Sequence, residues 1–136
     1  MSSKYLEELL NLPVQTNMRL MPPTVTASET VSIVVEKMIK ENIGAVIIVE
    51  KDQPVGIITE KDVLEKVVKP QKDLGLTLAQ EVMSKPLISI EANQSMKKAL
   101  ELMRKHEIRR LPVTKNGAPI GIISERRLLE VAFLVA

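Results

Sequence analysis

Apolar positions along the chain follow two spacings, that of an amphipathic helix and that of a β-strand. Apolar residues at helical spacing predict a helix that follows an N-cap at Ser28 and runs to about Asn42. A β-branched run at 45–49 and a second apolar run at 55–59 enclose a polar turn, which is typical of a β-hairpin. The pattern therefore predicts a strand-rich segment with a helix packed on one side.

The same order of elements occurs a second time, 65 positions further along the chain. The sequence VGIITEKDVLE at 55–65 returns as IGIISERRLLE at 120–130. After the first hairpin, Thr59 can cap a helix that runs to about Val68, before Pro70. Such repetition indicates two like units that bury their apolar surfaces against each other.

The second copy predicts its own set of elements, each copy having the order β-α-β-β-α. These are an extended segment at 87–90, a helix capped by Asn93 or Ser95, strands at 110–114 and 120–124 around an Asn116-Gly117 turn, and a helix from Glu125 to about Val135. Short helices are also predicted at 3–12 and around 78–82.

These elements predict an α/β (α+β) fold. A unit of about 55 residues buries too little surface to be stable alone, so the two units are expected to pack sheet to sheet as a pseudo-two-fold pair. The predicted organisation is an N-terminal helix and lead-in at 1–17, a first unit at 18–70, a linker at 71–82 and a second unit at 83–136.

Composition narrows the classes of function. The 136 residues are 45% hydrophobic and 26% charged, with a net charge of +2, no cysteine and one histidine, His106. The absence of cysteine excludes disulfides, thiolate metal sites and a cysteine nucleophile. The sequence also has no nucleophile–base pair of the kind that would indicate an enzyme. No apolar run is long enough to span a bilayer and no secretory leader is evident, so we expect a cytoplasmic protein without membrane insertion.

Three motifs together resemble the tandem CBS domain, the module named after cystathionine beta-synthase. They are Gly56-Ile57-Ile58-Thr59-Glu60-Lys61-Asp62 at the end of the hairpin, Met83-Ser84-Lys85-Pro86 before the second copy, and Ile108-Arg109-Arg110-Leu111-Pro112-Val113. The resemblance covers nearly everything from Met18 to Phe133.

The resemblance implies a disc-like pair of CBS units, often doubled into a homodimer of four. It implies a non-enzymatic, energy-sensing regulatory module that binds an adenine nucleotide (AMP, ADP or ATP) or a related adenosyl compound in the cleft between the units. This nucleotide would be a regulatory ligand, and no other cofactor is implied. The regulated protein would be a separate partner, whose identity the sequence does not give.

Thr59 and Asp62 are the main candidate ligand residues, because a carboxylate can accept hydrogen bonds from both hydroxyls of a ribose. The family uses the matching positions in this way. The alternative is that Thr59 only caps the helix while Asp62 favours its positive end. In the second copy Ser124 matches Thr59, but Arg127 replaces the acid. Since a guanidinium has no acceptor, the second site is expected to lose ribose affinity, although Arg127 could bind phosphate.

The remaining candidates also come from the resemblance. They are the phosphate contacts Arg109 and Arg110, an aliphatic clamp on the adenine made by Thr24, Val25, Ala45 and Val46, and Pro112 as a clamp residue of the second copy. His106 clusters with the two arginines and is expected to be a weak pH-dependent contact or a surface residue. The basic residues could instead only favour a helix end, and the apolar ones could be ordinary core.

Two other functions stay open at this point. A nucleic-acid-binding protein is an alternative, although the balanced charge and the near absence of aromatic residues disfavour it. A purely structural dimerisation module with degenerate clefts is the other.

Overall fold

The computed structural model describes residues 3–20 and 22–134. Its contacts divide the chain into two compact units. The first-repeat unit is Pro22–Leu87, and the second-repeat unit combines the described residues before position 21 with those from Ile88 onward. The mixed α/β architecture expected from the sequence is confirmed for each unit.

The elements follow the repeat closely. In chain order they are α1 (Lys4–Asn11), a 3-10 turn (Val14–Thr16), β1 (Arg19–Leu20), β2 (Thr24–Thr26), α2 (Val31–Glu41), β3 (Ala45–Glu50), β4 (Gln53–Thr59), α3 (Glu60–Val63) continued by a π-helix (Leu64–Val68), α4 (Ala79–Val82), β5 (Ile90–Glu91), α5 (Met96–His106), β6 (Arg110–Lys115), β7 (Ala118–Ser124) and α6 (Glu125–Leu134).

Each unit contains one small sheet. In the first-repeat unit the strand order is β2-β3-β4, with β2 parallel to β3 and β3 antiparallel to β4. In the second-repeat unit the order is β1-β7-β6-β5, with only the β5–β6 pair parallel. Both hairpins carry an irregularity at equivalent positions, between Ile48 and Val49 and between Val113 and Thr114.

Each sheet buries one face against the helices of its own unit. Val34, Val46 and Ile58 lie in the core of the first-repeat unit, and Leu111 and Ile123 lie in the core of the second. Because successive strand residues point to opposite faces, the opposite face of each sheet carries the residues of the other parity. That alternation determines which candidate site residues share a face.

The segment before each copy packs into the unit of the other copy. Ser84 pairs with Ile57 of β4, and β1 pairs with β7. Both approaches are close at a glycine: a Cβ on Gly56 would lie 3.0 Å from the backbone oxygen of Ser84, and a Cβ on Gly121 would lie 2.7 Å from the backbone oxygen of Arg19. Each glycine therefore allows a close approach of the neighbouring backbone that a side chain would crowd.

Several details differ from the sequence expectations. Ser28 is not the N-cap of α2, because Glu29 N–H donates to Thr26 O in a turn and the helix begins after Thr30. Of the two caps considered for α5, Ser95 is the one used, at 3.1 Å from Lys98 N. The extended segment expected at 87–90 forms a strand only at Ile90–Glu91. The predicted end of the last helix at Val135 lies outside the described residues.

Candidate functional site

Thr59 and Asp62 form a reciprocal cap at the start of α3. Thr59 ends β4 in extended conformation, and Asp62 N–H donates to Thr59 Oγ1 at 3.3 Å. In return, Asp62 Oδ2 accepts the Thr59 N–H at 2.9 Å and the Thr59 hydroxyl at 3.1 Å. The capping role expected of Thr59 is confirmed, and this arrangement satisfies two backbone donors at the helix start.

The second oxygen of the same carboxylate contacts side chains from further along the chain. Asp62 Oδ1 lies 3.0 Å from Lys66 Nζ and accepts a hydrogen bond from Ser84 Oγ at 3.1 Å. Lys66 Nζ also donates to Val82 O at 2.9 Å. Asp62 is only 9% exposed, so these contacts compensate for the loss of water around its charge.

The Asp62 carboxylate therefore has four hydrogen-bonding partners, two on each oxygen. A carboxylate has about four acceptor positions, so its capacity is filled from within the first-repeat unit. A sugar hydroxyl would have to replace one of these donors. The ribose-binding role of Asp62 stays a prediction.

The four residues of the predicted aliphatic clamp divide between the two faces of their sheet. Val25 and Val46 lie in the core cluster with α2, and both are buried. Thr24 and Ala45 have the opposite parity, and Ala45 is paired with Thr59 across the hairpin. Only Thr24 and Ala45 thus share a face with Thr59, while Val25 and Val46 contribute to helix packing.

The matching position in the second-repeat unit is chemically different. Ser124 Oγ accepts the Arg127 N–H at 3.1 Å, so the cap is retained without an acidic partner. The Arg127 side chain turns to the preceding segment, where Nε donates to Asn17 O at 3.3 Å, and its Nη1 lies 3.7 Å from Glu130 Oε2. Arg127 therefore donates to a backbone carbonyl, whereas Asp62 at the equivalent position accepts hydrogen bonds.

The other basic candidates lie in the same unit with differing exposure. Arg110 is half-buried and is the register partner of Ser124, whereas the Arg109 side chain is 84% exposed with Nε 4.0 Å from Glu125 Oε1. His106 is exposed in the last turn of α5. Pro112 is buried and shares its sheet face with Arg110 and Ser124.

The contacts of Lys66 and Ser84 with Asp62 were not predicted by the sequence analysis. Lys66 follows Asp62 by one helical turn, and an acid followed by a lysine at that spacing is a known pairing pattern that could have found it. Ser84 lies 22 positions from Asp62, and no local signal connects them.

Helix α2 carries an apolar groove on its outer side. A depression of about 590 Å³ lies between α2 and α3, with Val35, Ile39 and Leu64 among its lining residues. Leu64 and Val68 are exposed, and their counterparts in the second repeat, Leu129 and Phe133, are exposed as well.

No helix in the described residues is long and apolar enough to cross a membrane, and no group of three acidic or histidine residues there could hold a metal ion.

The family model described as "CBS domain" matches this chain twice, at residues 14–69 and 79–133. The chain therefore belongs to the CBS domain family, whose members are generally regulatory rather than catalytic. Among curated proteins, one from Methanopyrus kandleri described as uncharacterized is 43% identical over 117 residues, which cover 84% of this chain and 58% of that protein. The chain thus spans less than two thirds of that relative.

Solved structures agree with the family assignment. A putative signal-transduction protein with CBS domains from Burkholderia ambifaria is 30% identical, with a TM-score of 0.79 over 93% of this chain and 92% of that one. A hexameric CBS-CP12 protein from bloom-forming cyanobacteria is 28% identical, with a TM-score of 0.82 over 88% of this chain and 67% of that one. Both are similar to this chain in fold, and the second is described as an oligomer.

Proposed function

We propose that this protein is a non-enzymatic regulatory module, acting in the cytoplasm, that binds an adenosine-containing ligand of the AMP, ADP, ATP or adenosyl class and transmits the binding to a separate protein. The observation that carries the proposal is the buried Asp62 carboxylate at the mouth of α3, joined to Thr59. A carboxylate in this position can accept both hydroxyls of a ribose.

The surroundings of Asp62 support a nucleoside more than a bare anion. Thr24 is half-buried on the sheet face that also carries Thr59, which suits contact with a flat base, whereas Ala45 on the same face is fully buried. In the second-repeat unit Arg109 and Arg110, with His106 nearby in sequence, are proposed to favour phosphate, because guanidinium groups match its oxygens. Arg127 is proposed to weaken ribose binding there.

Calorimetry with AMP, ADP, ATP and S-adenosylmethionine tests the proposal. A ligand present at about 100 times its dissociation constant should raise the unfolding free energy by about 2.7 kcal/mol, visible as a higher melting temperature. Asp62→Ala should abolish this response. Glu65→Ala is the matched control, because Glu65 is an exposed acid on the same helical segment, and it should respond like the wild-type protein.

A purely structural module is the second candidate, and one observation favours it. All of the acceptor positions of Asp62 are already used within the first-repeat unit. If none of the four compounds binds and Asp62→Ala changes only stability, the carboxylate serves the helix cap and the regulatory proposal is wrong.

We also propose that the chain self-associates into a homodimer of four CBS units. The exposed apolar pair on the last helix of each repeat, Leu64 with Val68 and Leu129 with Phe133, supports this. The two residues of each pair are one helical turn apart and lie on the same side of the helix, and contiguous exposed apolar surface is typical of protein interfaces.

A further inference from the structure

The two oxygens of Asp62 differ in how firmly their partners are held. Oδ2 binds the Thr59 backbone N–H and hydroxyl inside the helix cap. Oδ1 binds two side chains with access to water, since the Lys66 side chain is 43% exposed and Ser84 is exposed. Partners that can return to water are less costly to displace, so Oδ1 is the exchangeable oxygen.

The partners of Oδ1 also hold the segment that precedes the second copy. Lys66 Nζ bridges Asp62 Oδ1 and the carbonyl of Val82. Ser84 contacts Oδ1 through its hydroxyl and pairs with Ile57 of β4 through two backbone hydrogen bonds of 2.9 and 3.3 Å. Residues 82–84 are therefore fastened to the helix start through the carboxylate as well as to the sheet through the backbone.

The second-repeat unit makes the equivalent attachment without a carboxylate. Arg127 replaces Asp62 and donates directly to Asn17 O, which is the counterpart of Val82 O. Val131 stands where the first repeat has Lys66, and Arg19 stands where it has Ser84. A ligand that seeks an acceptor finds none at Arg127, so this attachment is insensitive to a sugar.

Resting on the proposed function, we infer that Lys66 and Ser84 compete with the ribose hydroxyls for Asp62 Oδ1, and that adenosine binding loosens residues 82–84. Lys66 is then a positioning residue that sets affinity and connects the ligand site to the segment before the second copy. A ligand can shift this equilibrium only by binding the loosened form more tightly, and the freed Oδ1 supplies that difference.

Adenosine is the first probe, because it carries the ribose without a phosphate that Lys66 could attract, and AMP is the second. Lys66→Met should tighten adenosine binding by about three- to tenfold, the worth of one net hydrogen bond. Lys61→Met, an exposed lysine on α3, is the control and should leave the affinity unchanged. In the wild-type protein, adenosine should speed hydrogen exchange at the Ser84 amide and leave that at the equivalent amide of Arg19 unchanged.

The outcomes separate the inference from the proposed function. If neither probe binds the wild-type protein although ADP, ATP or S-adenosylmethionine does, only this inference is overturned. If none of these compounds binds, the proposed function fails and this inference fails with it. If a probe binds but Lys66→Met has wild-type or weaker adenosine affinity, or Ser84 exchange does not change, only the competition is overturned. A gain in affinity that persists with 2′-deoxyadenosine would also overturn it, because that compound lacks one of the paired hydroxyls.

Discussion

Adding a methyl group at Gly56 or Gly121 tests how closely the preceding segments approach the hairpins. At Gly121 the new Cβ would lie 2.5 Å from Met18 Sδ and 2.7 Å from the backbone oxygen of Arg19. At Gly56 it would lie 2.7 Å from Met83 Sδ and 3.0 Å from the backbone oxygen of Ser84. A thioether can turn aside, but a backbone oxygen held in a strand pair cannot.

We therefore expect both alanine variants to lose stability, with Gly121→Ala the more affected. Overpacking costs about 1–3 kcal/mol, and the backbone clash places Gly121→Ala at the upper end of that range. With a urea dependence of about 1–3 kcal/mol per molar, the unfolding midpoint should fall by about 1 M. Gly75→Ala is the matched control, because its nearest contact is the side chain of exposed Asp73 at 3.3 Å.

A double-mutant cycle decides which contact is the cause. Met83→Ala removes the thioether nearest to the Gly56 methyl group but leaves the backbone oxygen of Ser84, so most of the Gly56→Ala loss should persist in that background. Strong coupling would instead make the side chain of Met83 the clashing group. A loss that disappears in the Met83→Ala background, or a Gly56→Ala midpoint equal to that of the wild-type protein, would refute the reasoning.

Two further predictions concern the helix caps and the apolar stripes. Thr59→Ala should lower the unfolding free energy by about 0.5–2 kcal/mol. Ser124→Ala should lower it less, because no carboxylate accepts the backbone N–H of Ser124 as Asp62 does for Thr59. Equal losses in urea unfolding would show that the reciprocal hydrogen bond adds no stability. Phe133→Ser should weaken self-association measured by light scattering without changing monomer stability, since Phe133 is 79% exposed; an unchanged mass at all concentrations would remove Phe133 from the interface.

The repeat and its hairpins were predictable because their signals are local. Glycine and asparagine turns, β-branched runs and helical spacing each act within a few residues, and the structure confirms β3, β4, β6 and β7. Strand β1 was missed because its two residues are exposed and become a strand only by pairing with β7. The linear boundaries of the repeats and the sheet-to-sheet packing of the units stay predictions.

The candidate site was predictable where its chemistry is close in sequence. The Thr59–Asp62 spacing was enough to predict the cap. The clamp was only partly resolved, since motif matching treats neighbouring strand residues alike although Val25 and Val46 turn toward α2 and Thr24 and Ala45 do not. Ser84 reaches Asp62 only through folding, which no local pattern reports.

Because the segment before each copy packs into the unit of the other copy, a deletion at one end of the chain can destabilise residues at the other end. Leu9 and Val14 belong to the core formed with residues after Ile88. Deleting the amino-terminal residues would therefore destabilise the unit that contains the residues after Ile88, and not the unit at 22–87. A fragment spanning 22–87 keeps all the strands and helices of its own unit. The loss of stability would depend on which residues share a core and not on which residues are neighbours in the sequence.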